Sequence, residues 1–147
     1  MPPSLPHPQP RIGVGAVVWR GQQVLLIQRG KEPRKGQWSI PGGGQMLGET
    51  VRETAVREVA EETSITITVG PLLDVVDGIF RDDDGTLAHH NTLVDFEADY
   101  VEGEAEAGDD AAAVAWVEVA ALAQFRLWPE TERVILLSHA RRIAAGL

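Results

Sequence analysis

The spacing of apolar positions changes several times along the chain, and each change predicts an element. RIGVGAVVWR (Arg11–Arg20) and QVLLIQR (Gln23–Arg29) are Val/Leu-rich runs joined by Gly21-Gln22, which reads as an antiparallel strand pair with a tight turn. GKEPRKG (30–36) is a basic loop. WSIP (38–41) is a short extended piece that runs into Gly42, Gly43 and Gly44. Over about 49–63 the period becomes helical, with Glu49 and Thr50 suited to its start. Val51, Ala55 and Val59 recur every four residues as a buried stripe, with Val56 beside them. ITITVG (65–70) and LLDVVDGIF (72–80) return to strand, with room for a bulge between them. RDDDGT (81–86) is a hairpin loop, and 89–101 is the longest strand candidate. EGEAEAGDDAA (102–112) is an acidic loop, 114–119 a short strand and 120–124 a helical turn. The segment 129–145 is an amphipathic helix with Pro129 in its first turn and Val134, Leu137 and Arg141 at helical spacing. The pattern predicts a mixed sheet with one helix inserted early and one late.

Composition narrows the class. At 147 residues with 44% hydrophobic content, one domain over 11–147 with a sizeable core is expected. Five prolines in the first ten residues predict a disordered lead-in over 1–10. That segment lacks a signal peptide's charge and apolar core, so a cytoplasmic location is expected. No apolar run reaches the length of a membrane span. With no cysteines, disulfides and thiolate metal sites are excluded. The net charge of −9 argues against nucleic-acid polymers and anionic membranes as partners. It leaves open a phosphorylated small molecule bound through a cation or local basic groups.

One stretch runs against ordinary helix design. REVAEET (57–63) places Glu58, Glu61 and Glu62 on one face of the last turns of the early helix. Like charges at that spacing cost an isolated helix roughly 0.2–0.5 kcal/mol per pair. The negative end of the helix dipole adds to the cost. Two readings follow from the spacing: a solvated acidic face, or a site for a hard divalent cation that offsets the repulsion.

The surrounding residues favour the cation. Gly43 is followed by Glu49, then Arg57-Glu58, Val59, Glu61-Glu62, Ser64 and Ile65, across 23 residues. This resembles the signature of the Nudix hydrolases, which cleave nucleoside diphosphates linked to another moiety, and it fits eight of the nine defined positions. The exception is Ser64, where the family usually has Gly. The resemblance implies an α+β, α-β-α sandwich fold, with a mixed β-sheet between helices. It implies Mg2+, with Mn2+ as an alternative, held by Glu58, Glu61, Glu62 and the backbone carbonyl of Gly43. Glu49 and Arg57 become a structural ion pair, with a surface tie from Arg57 to Glu61 as the plainer reading. Glu61, Glu58 and Arg57 become catalytic candidates. The general base comes from the box helix or from the loop 103–112. Counting back from Trp116 selects Asp110 in that loop, with Asp109 and Glu104 as rivals.

Further contacts to the substrate are expected at Arg29, for phosphate, and at Trp38 or Trp128, for a base, although either ring also suits the core. Lys31, Arg34 and Lys35 are either substrate contacts or solubility charges. Of His89 and His90, at most one faces the site. The expected activity is hydrolysis of a pyrophosphate bond in a small nucleotide substrate. The segment GEAEAGDDAAAVAWV tilts the reading toward ADP-ribose. The alternatives are a house-cleaning nucleoside triphosphatase and, more remotely, a non-catalytic nucleotide-binding module. A homodimer is compatible with the sequence.

Overall fold

In the computed structural model, the described residues are 9–32, 34–108 and 110–147. Most of the proline-rich lead-in, and Asp109, lie outside them. Strands β1 (Arg11–Arg20) and β2 (Gln23–Arg29) form the expected hairpin, with Gly21 left-handed at φ 60°. They pair only beside the turn, Trp19 with Val24 and Arg20 with Gln23, and then part. Two short strands fill the fork. β3 (Trp38–Ser39) pairs with the end of β2, and β4 (Gly42–Gly44) pairs with the start of β1. The three glycines are therefore strand, a role that the sequence pattern did not assign. They allow a very close approach, since a Cβ at Gly42 would overlap the Val14 carbonyl.

Helix α1 (Val51–Thr63) follows, then β5 (Thr66–Arg81), β6 (Leu87–Glu102), β7 (Ala111–Glu118), a 3-10 helix (Val119–Phe125) and α2 (Pro129–Ala144). β6 lies parallel to β1, from Arg11–Asn91 to Trp19–Asp99, which makes the sheet mixed. β5 covers the far side of β6, and β7 runs antiparallel along β2. β5 is continuous across the anticipated bulge, with register shifts between Val69 and Asp74. Pro71 falls there, and an edge strand tolerates its missing N–H. No helix among the described residues is long and apolar enough to cross a membrane.

Alternation along β1 divides the core. Ala16 and Val18 point to the α1 side, with Val59, Ile65 and Ala98. Val17 and Trp19 point to the α2 side, with Val134, Ile135 and Leu122. The helices depart from the simple stripes. In α1, Ala55 and Val59 are buried as expected, but Thr54 and Thr63 join them and Val56 is exposed. Val56 is turned about 100° from Ala55 around the axis. In α2 the buried face is Val134, Ile135 and Ser138, while Leu137 is exposed and the half-exposed Arg141 reaches back to Glu97 at 3.6 Å. The cause is polar: Trp19 Nε1 donates to Ser138 Oγ, which donates to the buried Glu97, each at 2.8 Å. Arg142 closes the network on Glu97 and Asp99.

Both ends of α1 are closed. Thr50 is the N-cap in a capping box with Glu53, so the helix starts later than the sequence suggested and Glu49 lies outside it. At the other end the segment 103–108 crosses the helix terminus. Glu106 N–H donates to Thr63 O and Gly108 N–H to Glu62 O. The acidic loop thus satisfies carbonyls that the helix cannot bond itself.

Ser64 caps this end in the left-handed conformation, φ 63° and ψ 16°, with its N–H on Ala60 O. That conformation costs a non-glycine residue roughly 1–2 kcal/mol. Glycine would relieve it while enlarging the unfolded ensemble by roughly 0.4–1 kcal/mol. Ser64→Gly is therefore expected to be neutral to stabilising by up to about 1 kcal/mol, with turnover unchanged. Urea melts and initial rates on the two proteins check this; clear destabilisation would contradict it.

Candidate active site

A cleft of about 580 Å³ opens in the fork between β1 and β2, within the usual range of small-molecule sites. At its acidic end Gly42, Glu62, Arg29 and Asp110 are linked by hydrogen bonding and charge. Asp95 lies with Ile40 at Gly15, the cross-strand partner of Gly42, and Trp38, Phe80, Leu93, Trp128 and Arg34 also line the cleft.

The acidic end is built by α1 against β4. Arg57 is the hub. Its Nε donates to Glu49 at 2.7 Å, its Nη1 to Glu58 at 2.7 Å and to Glu61 at 3.1 Å, and its Nη2 to Glu49 and the Gly44 carbonyl, each at 3.0 Å. The expected Glu49–Arg57 tie and the Glu61 surface pair are thus both present. Glu49 also accepts from Thr54 Oγ1 at 2.7 Å and from Met46 N–H at 3.1 Å. The Arg57 hydrogen bond leads the causes that hold its carboxyl down at about 2. Hydrogen bonding to Glu49 likewise pushes the Arg57 guanidinium up.

Arg57 answers two of the three crowded glutamates, Glu58 and Glu61. Glu62 has no such partner among the described residues. It accepts from Gly42 N–H at 2.7 Å, and burial pushes its carboxyl up to about 7, with the charge of Glu58 adding to the shift. Arg29 acts against that shift and Asp110 with it, which places both within electrostatic reach of Glu62. Gly43 faces Glu58 so closely that a Cβ there would overlap its carboxylate.

Among the described residues no three acidic or histidine side chains are already gathered around a cation position. The donor set nonetheless suits a hard divalent ion: carboxylates of Glu58, Glu61 and Glu62 beside a bare glycine backbone. Arg57 stands in as the counter-charge to Glu58 and Glu61.

The other expected residues fall as follows. Asp110 lines the cleft, its backbone oxygen accepts from Gly30 N–H at 2.7 Å, and its exposed carboxylate pairs with Lys31 at 2.7 Å. Glu104 is exposed and does not line the cleft. His89 and His90 do not line it either. Trp38 and Trp128 both line it while packing on the core, Trp38 edge-on to Phe125 and Trp128 tilted on Phe80. Arg34 lines it too and lies 4.5 Å over the Phe80 ring.

Asp95 is a site residue that the sequence pattern did not single out. It is 7% exposed, lines the cleft, and its carboxylate has no hydrogen bond among the described residues. Its signal was present in the sequence. Leu93, Asp95 and Glu97 alternate on the α2 face of β6, and a carboxylate at such a position is out of place in a core strand. The room it occupies exists because Gly15 opposite has no side chain; a Cβ there would lie 2.5 Å from its Oδ1.

A family model of the NUDIX domain matches residues 9–137, and the chain belongs to the Nudix family. A Methanocaldococcus jannaschii protein named ADP-ribose pyrophosphatase is 39% identical over 102 residues, covering 69% of this chain and 58% of its own. The chain thus spans less than two thirds of that relative's length. A Mycobacterium tuberculosis protein named provisionally as 8-oxo-dGTP diphosphatase 2 is 34% identical, with 76% of each chain covered. A MutT NUDIX hydrolase from Burkholderia pseudomallei superposes with a TM-score of 0.76 at 31% identity, covering 88% of this chain and 98% of that one. The NUDIX domain of Shewanella oneidensis NrtR, solved with ADP ribose, gives 0.73 at 25% identity, covering 92% and 90%.

Burial also sets a pH dependence at Asp95, pushing its carboxyl up to about 6, with repulsion from Asp74 adding and Arg133 opposing. The folded state therefore holds this proton more tightly than the unfolded one. The resulting stabilisation is complete below about pH 3.8 and is lost as pH rises through about 6. Asp95→Asn should be more stable than the parent by about 2 kcal/mol at pH 7.5, with the gap closing toward pH 4. Urea melts of both proteins across this range measure it; a constant gap would contradict the assignment.

Proposed function

We propose that the protein hydrolyses a pyrophosphate bond in a nucleoside diphosphate linked to another moiety, with ADP-ribose-type substrates favoured. The observation that carries this is a cleft that Glu62, Arg29 and the glycine strand line together with aromatic and apolar side chains. The relative named ADP-ribose pyrophosphatase and the structure solved with ADP ribose support the choice of substrate. Hydrolysis of nucleoside triphosphates is the second reading, supported by the Mycobacterium tuberculosis relative.

Glu58, Glu61, Glu62 and the Gly43 carbonyl would hold Mg2+ or Mn2+, which supplies charge neutralisation of the pyrophosphate and acidifies a bound water. The remaining work falls to the chain itself. Arg29 offers a cation to the phosphate chain. Arg57 sets the rotamers of Glu58 and Glu61 and ties the loop before α1 to the helix. Water attacks phosphorus, the bond to the bridging oxygen breaks, and a carboxylate takes the water's proton. Asp110 at the cleft rim and the box glutamates are the candidates for that base.

Millimolar magnesium is expected to raise the melting temperature by a few degrees, because a ligand of the folded state stabilises it by mass action. Glu58→Gln and Glu62→Gln should lose that response and at least about 10²-fold in turnover, while the metal-free fold is unharmed or gains stability. Wild-type turnover in both variants would rule out the assignment. The assay is a panel of nucleoside diphosphate-linked compounds and triphosphates, with products resolved by chromatography.

Arg57→Ala should behave differently, losing activity and about 1–3 kcal/mol of stability together, since Glu49, Glu58 and Glu61 lose a shared donor. Denaturant melts beside rate measurements separate the two patterns. Unchanged stability would mean that the hub does not tie loop to helix.

A further inference from the structure

Asp95 has no part in the chemistry proposed above, yet it is a carboxylate buried in the wall of the cleft. A carboxylate removed from water needs compensating donors. This one has none among the described residues and lies with Ile40 over Gly15, where there is no side chain. A structural acid in this fold looks different: Glu97, two residues on, is held by Ser138 and Arg142.

The position of Asp95 also orients a ligand. An anionic side chain repels phosphate, so the phosphates are directed to Arg29 and the box, and the base is left to face Asp95. Trp38 and Trp128, which line the same cleft, offer apolar rings for a flat heterocycle. An ionised carboxylate only accepts hydrogen bonds, so the group it meets must donate. Purines present such donors as exocyclic amino groups, N6 in adenine and N2 in guanine.

We propose that Asp95 is the base-reading residue of this cleft, accepting a hydrogen bond from the exocyclic amino group of a purine nucleotide. The inference rests on the reading of the cleft as a nucleotide site, but not on which bond is hydrolysed. A purine without the amino group offers the buried carboxylate the ring N1–H at most, set differently on the base edge, and binds more weakly. An amide at position 95 can donate as well as accept, so it removes the distinction.

Calorimetric binding of ADP, GDP and IDP in the presence of magnesium tests this on the full chain. The parent protein should bind ADP or GDP about tenfold or more tightly than IDP, which has no exocyclic amino group. Asp95→Asn should bring IDP to within about threefold of the preferred nucleotide. Asp95→Ser, smaller and uncharged, should do likewise should the amide pack poorly. Preference for ADP over GDP points to adenine as the base read, and the reverse to guanine. A preference over IDP that both variants retain overturns the proposal, as does failure of the parent to bind any of the three or to distinguish them. Hydrolysis of ADP-ribose is scored separately. If ADP-ribose is not cleaved but Asp95-dependent discrimination persists, the substrate reading falls and the base-reading role stands. If ADP-ribose is cleaved but discrimination is indifferent to Asp95, the substrate reading stands and the base-reading role falls.

Discussion

The guanidinium of Arg57 is the interaction on which the site depends. One planar group meets Glu49, Glu58, Glu61 and the Gly44 carbonyl at once, and so joins the loop before α1, the last turns of α1 and the end of β4. A lysine could not do this, because its three donors radiate from one nitrogen and cannot bridge groups spread along a fork. The arrangement also removes part of the difficulty of crowding carboxylates at a helix C-terminus. Glu58 and Glu61 have a counter-charge, and the excess negative potential is left on Glu62.

The cleft follows from a second constraint, the parting of β1 and β2 after two residue pairs. A hairpin zipped along its full length would leave no gap. Here β3 and β4 enter the gap, and the glycines of β4 bring backbone against both Val14 and Glu58, where no side chain would fit. The same absence of side chain at Gly15, the cross-strand partner of Gly42 on β1, makes room for Asp95. Glycine thus shapes the cleft by what it omits. The acidic segment 103–108 does its structural work with backbone, closing the end of α1, while Asp110 reaches the cleft beside Glu62.

Much of this was legible in the sequence because it is local. Strand runs, the helix 51–63 and the box spacing are set by period and by residues close in the chain. That Ser64 keeps the left-handed conformation was one of two outcomes the sequence left open, since a non-glycine residue can also end a helix differently. The parts that escaped depend on partners far apart. The rotation of α2 that buries Ser138 and turns Leu137 outward is decided by Trp19 and Glu97, which lie 119 and 41 residues away from Ser138. The strand character of Gly42–Gly44 depends on β1, and no propensity would assign it. Asp95 stands out in the alternation along β6, but its meaning required Gly15 opposite and the fork above it. His89 and His90 are the converse: conspicuous in the sequence, they lie away from the cleft.

The central claim is that the carboxylates at the end of α1, gathered by Arg57, hold a divalent cation against the glycine strand. Anomalous diffraction from crystals grown with manganese and a non-hydrolysable nucleotide tests it most directly. The account predicts a manganese peak at oxygen-ligand distance from Glu58 and Glu62 and from the Gly43 carbonyl, with Arg57 retaining Glu49. A peak elsewhere, or fully occupied nucleotide with no metal beside these carboxylates, would contradict it.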